Sequence, residues 1–136
     1  MTLINSYLSF DGNCREVMSF YNECLDGELM ITTVGESTIA SQMPPAIQDH
    51  VMHSSITKNG AVLILASDMH RDKLVEGNNT TLCVNCDSDE QINSFFEKLS
   101  AGGKIVDPLQ IAFWGDKFGV LNDKYGRQWM LLYHKA

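Results

Sequence analysis

Histidine, cysteine, tyrosine and tryptophan are the side chains in this 136-residue chain whose chemistry reaches beyond packing. His53 stands out among them. It lies in the alternating stretch Val51–Thr57, and imidazole titrates near neutral pH, so it suits a general base or a hydrogen-bond donor. The same position suits a half-buried histidine bonded across a sheet, and spacing alone does not separate the two roles. Alternation puts Val51, His53 and Ser55 on one face, with Met52 and Ser54 on the other. Tyr7, on an alternating stretch near the amino terminus, has a hydroxyl that reaches a ligand or forms the wet tip of a core residue. Trp114, in Phe113-Trp114-Gly115, and Trp129 suit the walls around a flat or apolar ligand, while core packing explains Trp129 equally well. Asp68 either orients a histidine or closes a strand. His50, His70 and His134 fall in two loops and the tail, where solvent exposure is the expectation.

Cys83-Val84-Asn85-Cys86 has the spacing of a redox or zinc pair. Zinc needs two further ligands, and Cys14 and Cys24 lie in no matching knuckle. A redox pair gains from a helix amino terminus, but Asp87, Asp89 and Glu90 bring negative charge that opposes a thiolate. A structural role at a strand end is expected for both.

The elements that hold these side chains follow from periodicity. Leu3–Phe10 reads as a strand ended by Asp11-Gly12. Asn13, with Glu16 three residues on, reads as a capping box for a helix with Val17, Phe20, Tyr21 and Cys24 on one face, stopped by Gly27. Leu29–Val34 reads as a strand and Gly35–Asp49 as a long loop. Val51–Thr57 and Ala61–Ser67 form a hairpin through Asn59-Gly60. In the second half, Thr80–Cys86 is a strand, and Ser88 with Gln91 caps a helix carrying Ile92, Phe95, Phe96 and Leu99. Gly102-Gly103 stops that helix. Lys104–Val106 is a short strand, and Phe118–Asn122 with Gln128–Tyr133 form a last hairpin.

A shift of 76 residues places Asp11 on Asp87, Phe20 on Phe96, Gly27 on Gly103 and Leu8 over Val84. Each match falls at the same joint, which predicts one domain built from two βαβββ modules, about residues 1–70 and 78–136. One helix cannot cover a four-stranded sheet on both faces. The fold class expected is therefore α+β, with curled mixed sheets enclosing a cleft where small molecules bind.

Lys and Arg number 10 against 17 Asp and Glu, a net charge of −7 with no basic cluster, so neither nucleic acid nor an anionic membrane is expected as partner. The longest apolar run, Ala61–Ala66, falls far short of the roughly 20 residues of a membrane span. The amino-terminal residues lack the basic start and apolar run of a signal peptide, and the cysteine usage fits a reducing compartment. A cytoplasmic protein is the expectation.

The segment Tyr7-Leu-Ser-Phe-Asp-Gly-Asn-Cys-Arg-Glu-Val-Met-Ser-Phe-Tyr21 resembles the opening of the PhnB-like proteins. These are a branch of the vicinal oxygen chelate superfamily, with glyoxalase I, bleomycin-resistance proteins and extradiol dioxygenases. Val51-Met-His53, Ala66-Ser-Asp68, Phe113-Trp-Gly115 and Phe118–Trp129 resemble that branch too, so the likeness runs almost end to end. It implies the paired βαβββ fold and a homodimer. Some members of the branch are described as ubiquinone-pathway methyltransferases, yet no glycine-rich strand-to-helix turn suited to a nucleoside cofactor is present.

The superfamily's chemistry implies a divalent metal held by His or Gln on a module's first strand and Glu on its last. Here the first-strand positions are Ile4, Asn5 and Ser6, or Asn79, Thr80 and Thr81 in the second module, and the last-strand position is Met130. These residues are not a ligand set for such an ion. The resulting expectation is a small-molecule binder with no metal and no cofactor, its ligand held by Tyr7, His53, Trp114, Trp129 and Met130. A glyoxalase- or dioxygenase-type enzyme with a metal site relocated around His53, drawing on Asp68 or His50, stays as an alternative. So does a dimeric interaction module without ligand.

Overall fold

Each half of the chain buries one apolar helix face against one sheet face. The structure, a computed structural model, describes residues 2–135 and divides into two units, Met1–Val75 and Glu76–Ala136. The first contains β1 (Tyr7–Ser9), α1 (Cys14–Leu25), β2 (Glu28–Thr33), β3 (Val51–Lys58) and β4 (Ala61–Ser67), in the sheet order β1-β4-β3-β2. The second contains β5 (Thr81–Asn85), α2 (Asp89–Ser100), β6 (Lys104–Ile111), β7 (Lys117–Asn122) and β8 (Gln128–Tyr133), in the matching order β5-β8-β7-β6. In both, the first strand runs parallel to the fourth and the other pairings are antiparallel. Two βαβββ modules of an α+β fold are thus the observed architecture.

In the first unit, Val17, Met18, Tyr21 and Leu25 of α1 are buried, as are Leu8, Ile56, Ile64 and Ala66 on the sheet. In the second, Ile92, Phe95, Phe96 and Leu99 of α2 are buried with Leu121, Trp129 and Leu131. Burying a side chain of this size contributes roughly 1.5–3 kcal/mol. A one-residue slip would turn the whole set to the other face, so burial also fixes strand register.

Several joints differ from the sequence expectation. The first strand covers Tyr7–Ser9 rather than Leu3–Phe10. Pairing begins where the Ser6 carbonyl accepts from Leu65 N–H, and Leu3 and Ile4 stay exposed, so alternation there buries nothing. Asn13 occupies the N-cap of α1 without a side-chain cap bond. A residue far away in sequence holds the turn on both sides of Asn13, because the Asp68 carboxylate accepts from the N–H groups of Gly12 and Cys14. At the other end of α1 the left-handed residue is Asp26, at φ 54°. Gly27 is needed for close approach instead: a Cβ there would lie 2.7 Å from Ile56 Cγ2 and 2.9 Å from the Thr57 carbonyl. Gly103 presses against β7 in the same manner, which gives the 76-residue match a physical basis.

The Asn59-Gly60 hairpin has positive φ at both residues, 51° and 81°, as its turn type requires. Ser88 caps α2 as expected, accepting from Gln91 N–H while the Gln91 side chain accepts from Asp87 N–H. β6 runs to Ile111, well past Val106, because two register shifts against β7 carry it through Pro108. The loop between β2 and β3 is ordered into short 3-10 turns, with the Gln48 side-chain amide donating to the carbonyls of Ala40 (2.9 Å) and Met43 (3.1 Å). Among the described residues, no helix is long and apolar enough to cross a membrane.

Candidate functional site

The face of the first sheet turned away from α1 brings together two of the side chains singled out by sequence. One ladder row on it runs Tyr7–Leu65–Ser55–Met30, and His53 pairs with Thr32 in the next. Tyr7 Oη lies 3.1 Å from His53 Nδ1, and the two rings stand 5.8 Å apart at 36°. β4 separates their strands, so the phenol spans it to reach the imidazole. Both residues are exposed.

Val51 leaves that face, contrary to the alternation expected. The β2–β3 register shifts between Thr32 and Thr33, pairing Thr33 with Val51, and Val51 is buried while His53 is exposed. The Tyr7–His53 pair has two hydrogen-bonded forms. The phenol donates to Nδ1 and leaves Nε2–H pointing outward, or Nδ1–H donates to the phenol oxygen and leaves Nε2 as an acceptor. In either form the pair presents one donor and one acceptor, pointing in different directions. Such a pair can hold a ligand group or move a proton.

Asp68 does not join it. Its carboxylate is buried and bonded to three backbone N–H groups, with Oδ1 accepting from Gly12 (2.8 Å) and Cys14 (3.0 Å) and Oδ2 from Val51 (2.8 Å). The residue pins the turn before α1 to the start of β3. His50 lies against Gly12. His70 is exposed as expected but not isolated: Nε2 meets Asp11 Oδ1 at 3.2 Å and Nδ1 meets the Asp72 carbonyl at 2.8 Å. Hydrogen bonding to Asp11, then to Asp72, raises its pKa above the usual value. His134 pairs with Asp116.

In the second unit, Trp114 is half exposed, donates from Nε1 to Asp116 and packs edge-on against Phe113, itself 98% exposed. Trp129 is 1% exposed and donates to Asp123 Oδ2 at 2.8 Å. That is a core position with its polar atom satisfied, so its role is packing rather than a wall open to a ligand. Met130 is partly exposed, between Cys83 on β5 and Val120 on β7. Burial raises the pKa of Cys83 and, with help from Asp87, pushes that of Cys86 to about 12, so neither thiol is primed as a thiolate.

The residues present do not fit the divalent ion of the vicinal oxygen chelate enzymes. Among the described residues, no three His, Cys, Asp or Glu side chains converge. The two carboxylate oxygens of Asp68, the acid considered for a metal site relocated around His53, already serve backbone amides. A nucleoside methyl donor finds no glycine-rich strand-to-helix turn ahead of either helix: Asp11-Gly12-Asn13 leads into α1 and Asp87-Ser88 into α2.

Sequence reasoning marked Tyr7 and His53 separately but missed their contact, since the residues stand 46 positions apart. The signal that could have found it is topological. Once the first strand pairs with the fourth, equal parity on alternating strands puts both side chains on one face. Thr32, Ser55 and Met30, their neighbours there, carried no local signal.

Comparisons with known proteins extend the picture. Residues 2–132 match the family model described as 3-demethylubiquinone-9 3-methyltransferase. The chain is 28% identical to Protein YjdN of Escherichia coli (strain K12), covering 94% of this chain and 92% of that protein. Among solved structures, protein PA1353 from Pseudomonas aeruginosa is similar at 30% identity and a TM-score of 0.81, covering both chains fully. A putative 3-demethylubiquinone-9 3-methyltransferase, PhnB protein, from Bacillus cereus is 31% identical with a TM-score of 0.75, covering 98% of this chain and 100% of that one. A glyoxalase-related enzyme from Fulvimarina pelagi, 14% identical with a TM-score of 0.65 over 98% of this chain and 89% of that one, shares the fold alone.

Proposed function

Since the chain belongs to the family described as 3-demethylubiquinone-9 3-methyltransferase, on the glyoxalase/bleomycin-resistance/dioxygenase fold, we propose that it is a PhnB-like member that binds a small molecule without metal or methyl donor. The ligand sits on the face of the first sheet that carries Tyr7 and His53. The observation that supports this reading is the 3.1 Å contact between the Tyr7 hydroxyl and His53 Nδ1 on an exposed face. It offers a donor and an acceptor in strand rows that contain no Asp, Glu, Lys or Arg, whereas Asp68, the acid considered for a relocated metal site, is engaged by backbone amides. A thermal-shift screen of neutral, anionic and cationic compounds on chelator-treated protein tests it. Hits that stabilise the wild type and are lost in both Tyr7→Phe and His53→Gln support the reading; hits indifferent to both substitutions overturn it.

A homodimer is part of the same proposal. Phe113 and Ile111 are 98% and 67% exposed, an apolar edge that a second copy can cover. Sedimentation at twice the 15.2 kDa chain mass supports the dimer, and sedimentation at the single-chain mass overturns it.

A further inference from the structure

The face that carries Tyr7 and His53 differs in charge from the rest of the chain. With 17 acidic and 10 basic residues in the sequence, the rows Tyr7–Leu65–Ser55–Met30 and His53–Thr32 contain no Asp, Glu, Lys or Arg. Glu28, paired with Thr57, is the nearest charged residue along β2 on that side; it neighbours Met30 but lies four residues from Thr32, at the far end of the face from His53. Leu65 and Met30 supply apolar surface; Ser55 and Thr32 supply small hydroxyls.

A ligand pressed against these rows loses water. For an anion or a cation that loss is costly without an opposite charge at the surface, while an uncharged group needs only matched hydrogen bonds. The Tyr7–His53 pair provides one donor and one acceptor in either of its forms. An uncharged polar group such as a carboxamide can engage either one, because the outer imidazole nitrogen points away from the phenol. An apolar body attached to such a group lies on Leu65 and Met30.

We infer that the ligand is an uncharged molecule with an apolar body and a polar group that hydrogen-bonds to the Tyr7–His53 pair. This rests on the site proposed above and adds the charge class.

Three probes of one shape separate the two ideas: 2-naphthamide, its anionic isostere 2-naphthoate and its cationic isostere 2-naphthamidine. Each is titrated into the full chain while the His53 ring resonances are followed by NMR. The expected result is that the amide moves the His53 resonances and binds at least tenfold more tightly than either ion. Tyr7→Phe and His53→Gln should each weaken it by a similar factor, read by calorimetric titration because the second variant has no His53 ring, with unchanged circular dichroism confirming that both variants fold. If naphthoate or naphthamidine binds as tightly as the amide and moves the same resonances, the site stands and the charge class is overturned. If no probe moves His53, the site and the charge class fall together.

Discussion

The Tyr7 hydroxyl lies 3.1 Å from His53 Nδ1, although the residues are 46 positions apart and β4 lies between their strands. The contact exists because β1 pairs with β4 and β4 with β3, which leaves both side chains on the face that α1 does not cover. Removing the hydroxyl in Tyr7→Phe should change the His53 ring nitrogen shifts, since the bond that selects the tautomer is gone. Stability should fall by no more than about 1 kcal/mol, as expected for one exposed neutral hydrogen bond. Nitrogen-15 NMR and urea denaturation read the two effects; identical His53 shifts in the variant would mean that the bond is not formed in solution.

Asp68 should behave in the opposite way. Asp68→Ala leaves the N–H groups of Gly12, Cys14 and Val51 without their carboxylate. We expect a loss of ~3 kcal/mol or more in urea denaturation. A loss below about 1 kcal/mol would show that water replaces the carboxylate and that the residue is free for other work.

Trp129 and Asp123 make the corresponding test in the second unit. Trp129→Phe removes a buried ring edge and leaves Asp123 Oδ2 without its indole partner. The expected cost is about 2 kcal/mol. If ligand binding vanished while stability held, Trp129 would return to the list of binding residues.

How much of this was legible beforehand depends on the range of each interaction. The hairpin at Asn59-Gly60 and the Ser88–Gln91 cap lie within four residues, and both formed as read. Asn13 makes no side-chain cap bond, and Asp68, brought from 55 residues downstream by β4, holds the amides of Gly12 and Cys14 on either side of it instead. A local pattern does not register that partner. The same holds for the site: residue type marked Tyr7 and His53, but strand order decided that they meet. Trp129 shows the converse, since an indole reads alike in sequence whether it lines a pocket or donates to a buried carboxylate.

His70 predicts a pH dependence. Its folded pKa is raised, chiefly by hydrogen bonding to Asp11, so the protonated form stabilises the native state. That contribution is complete below the unfolded value near 6.5 and is lost as pH rises through the higher folded value. His70→Asn should therefore lower Tm at pH 5.5 and leave it unchanged at pH 8.5. An equal effect at both pH values would contradict the ion pair.

The cysteines give a simple count. Cys14, Cys24 and Cys86 are buried and Cys83 is exposed, so an aromatic disulfide reagent should titrate one thiol in native protein and four after denaturation. Rapid reaction of two native thiols would indicate a reactive Cys83–Cys86 pair.

The central claim is that Tyr7 and His53 serve a site that works without a divalent ion. Metal content tests it most directly. Purified protein is loaded in turn with Zn(II), Ni(II), Mn(II) and Fe(II), desalted and assayed by mass spectrometry, alongside His53→Gln. Retention well below one ion per chain for every metal is the predicted result. Stoichiometric retention that disappears in His53→Gln would contradict the account and make the histidine a metal ligand.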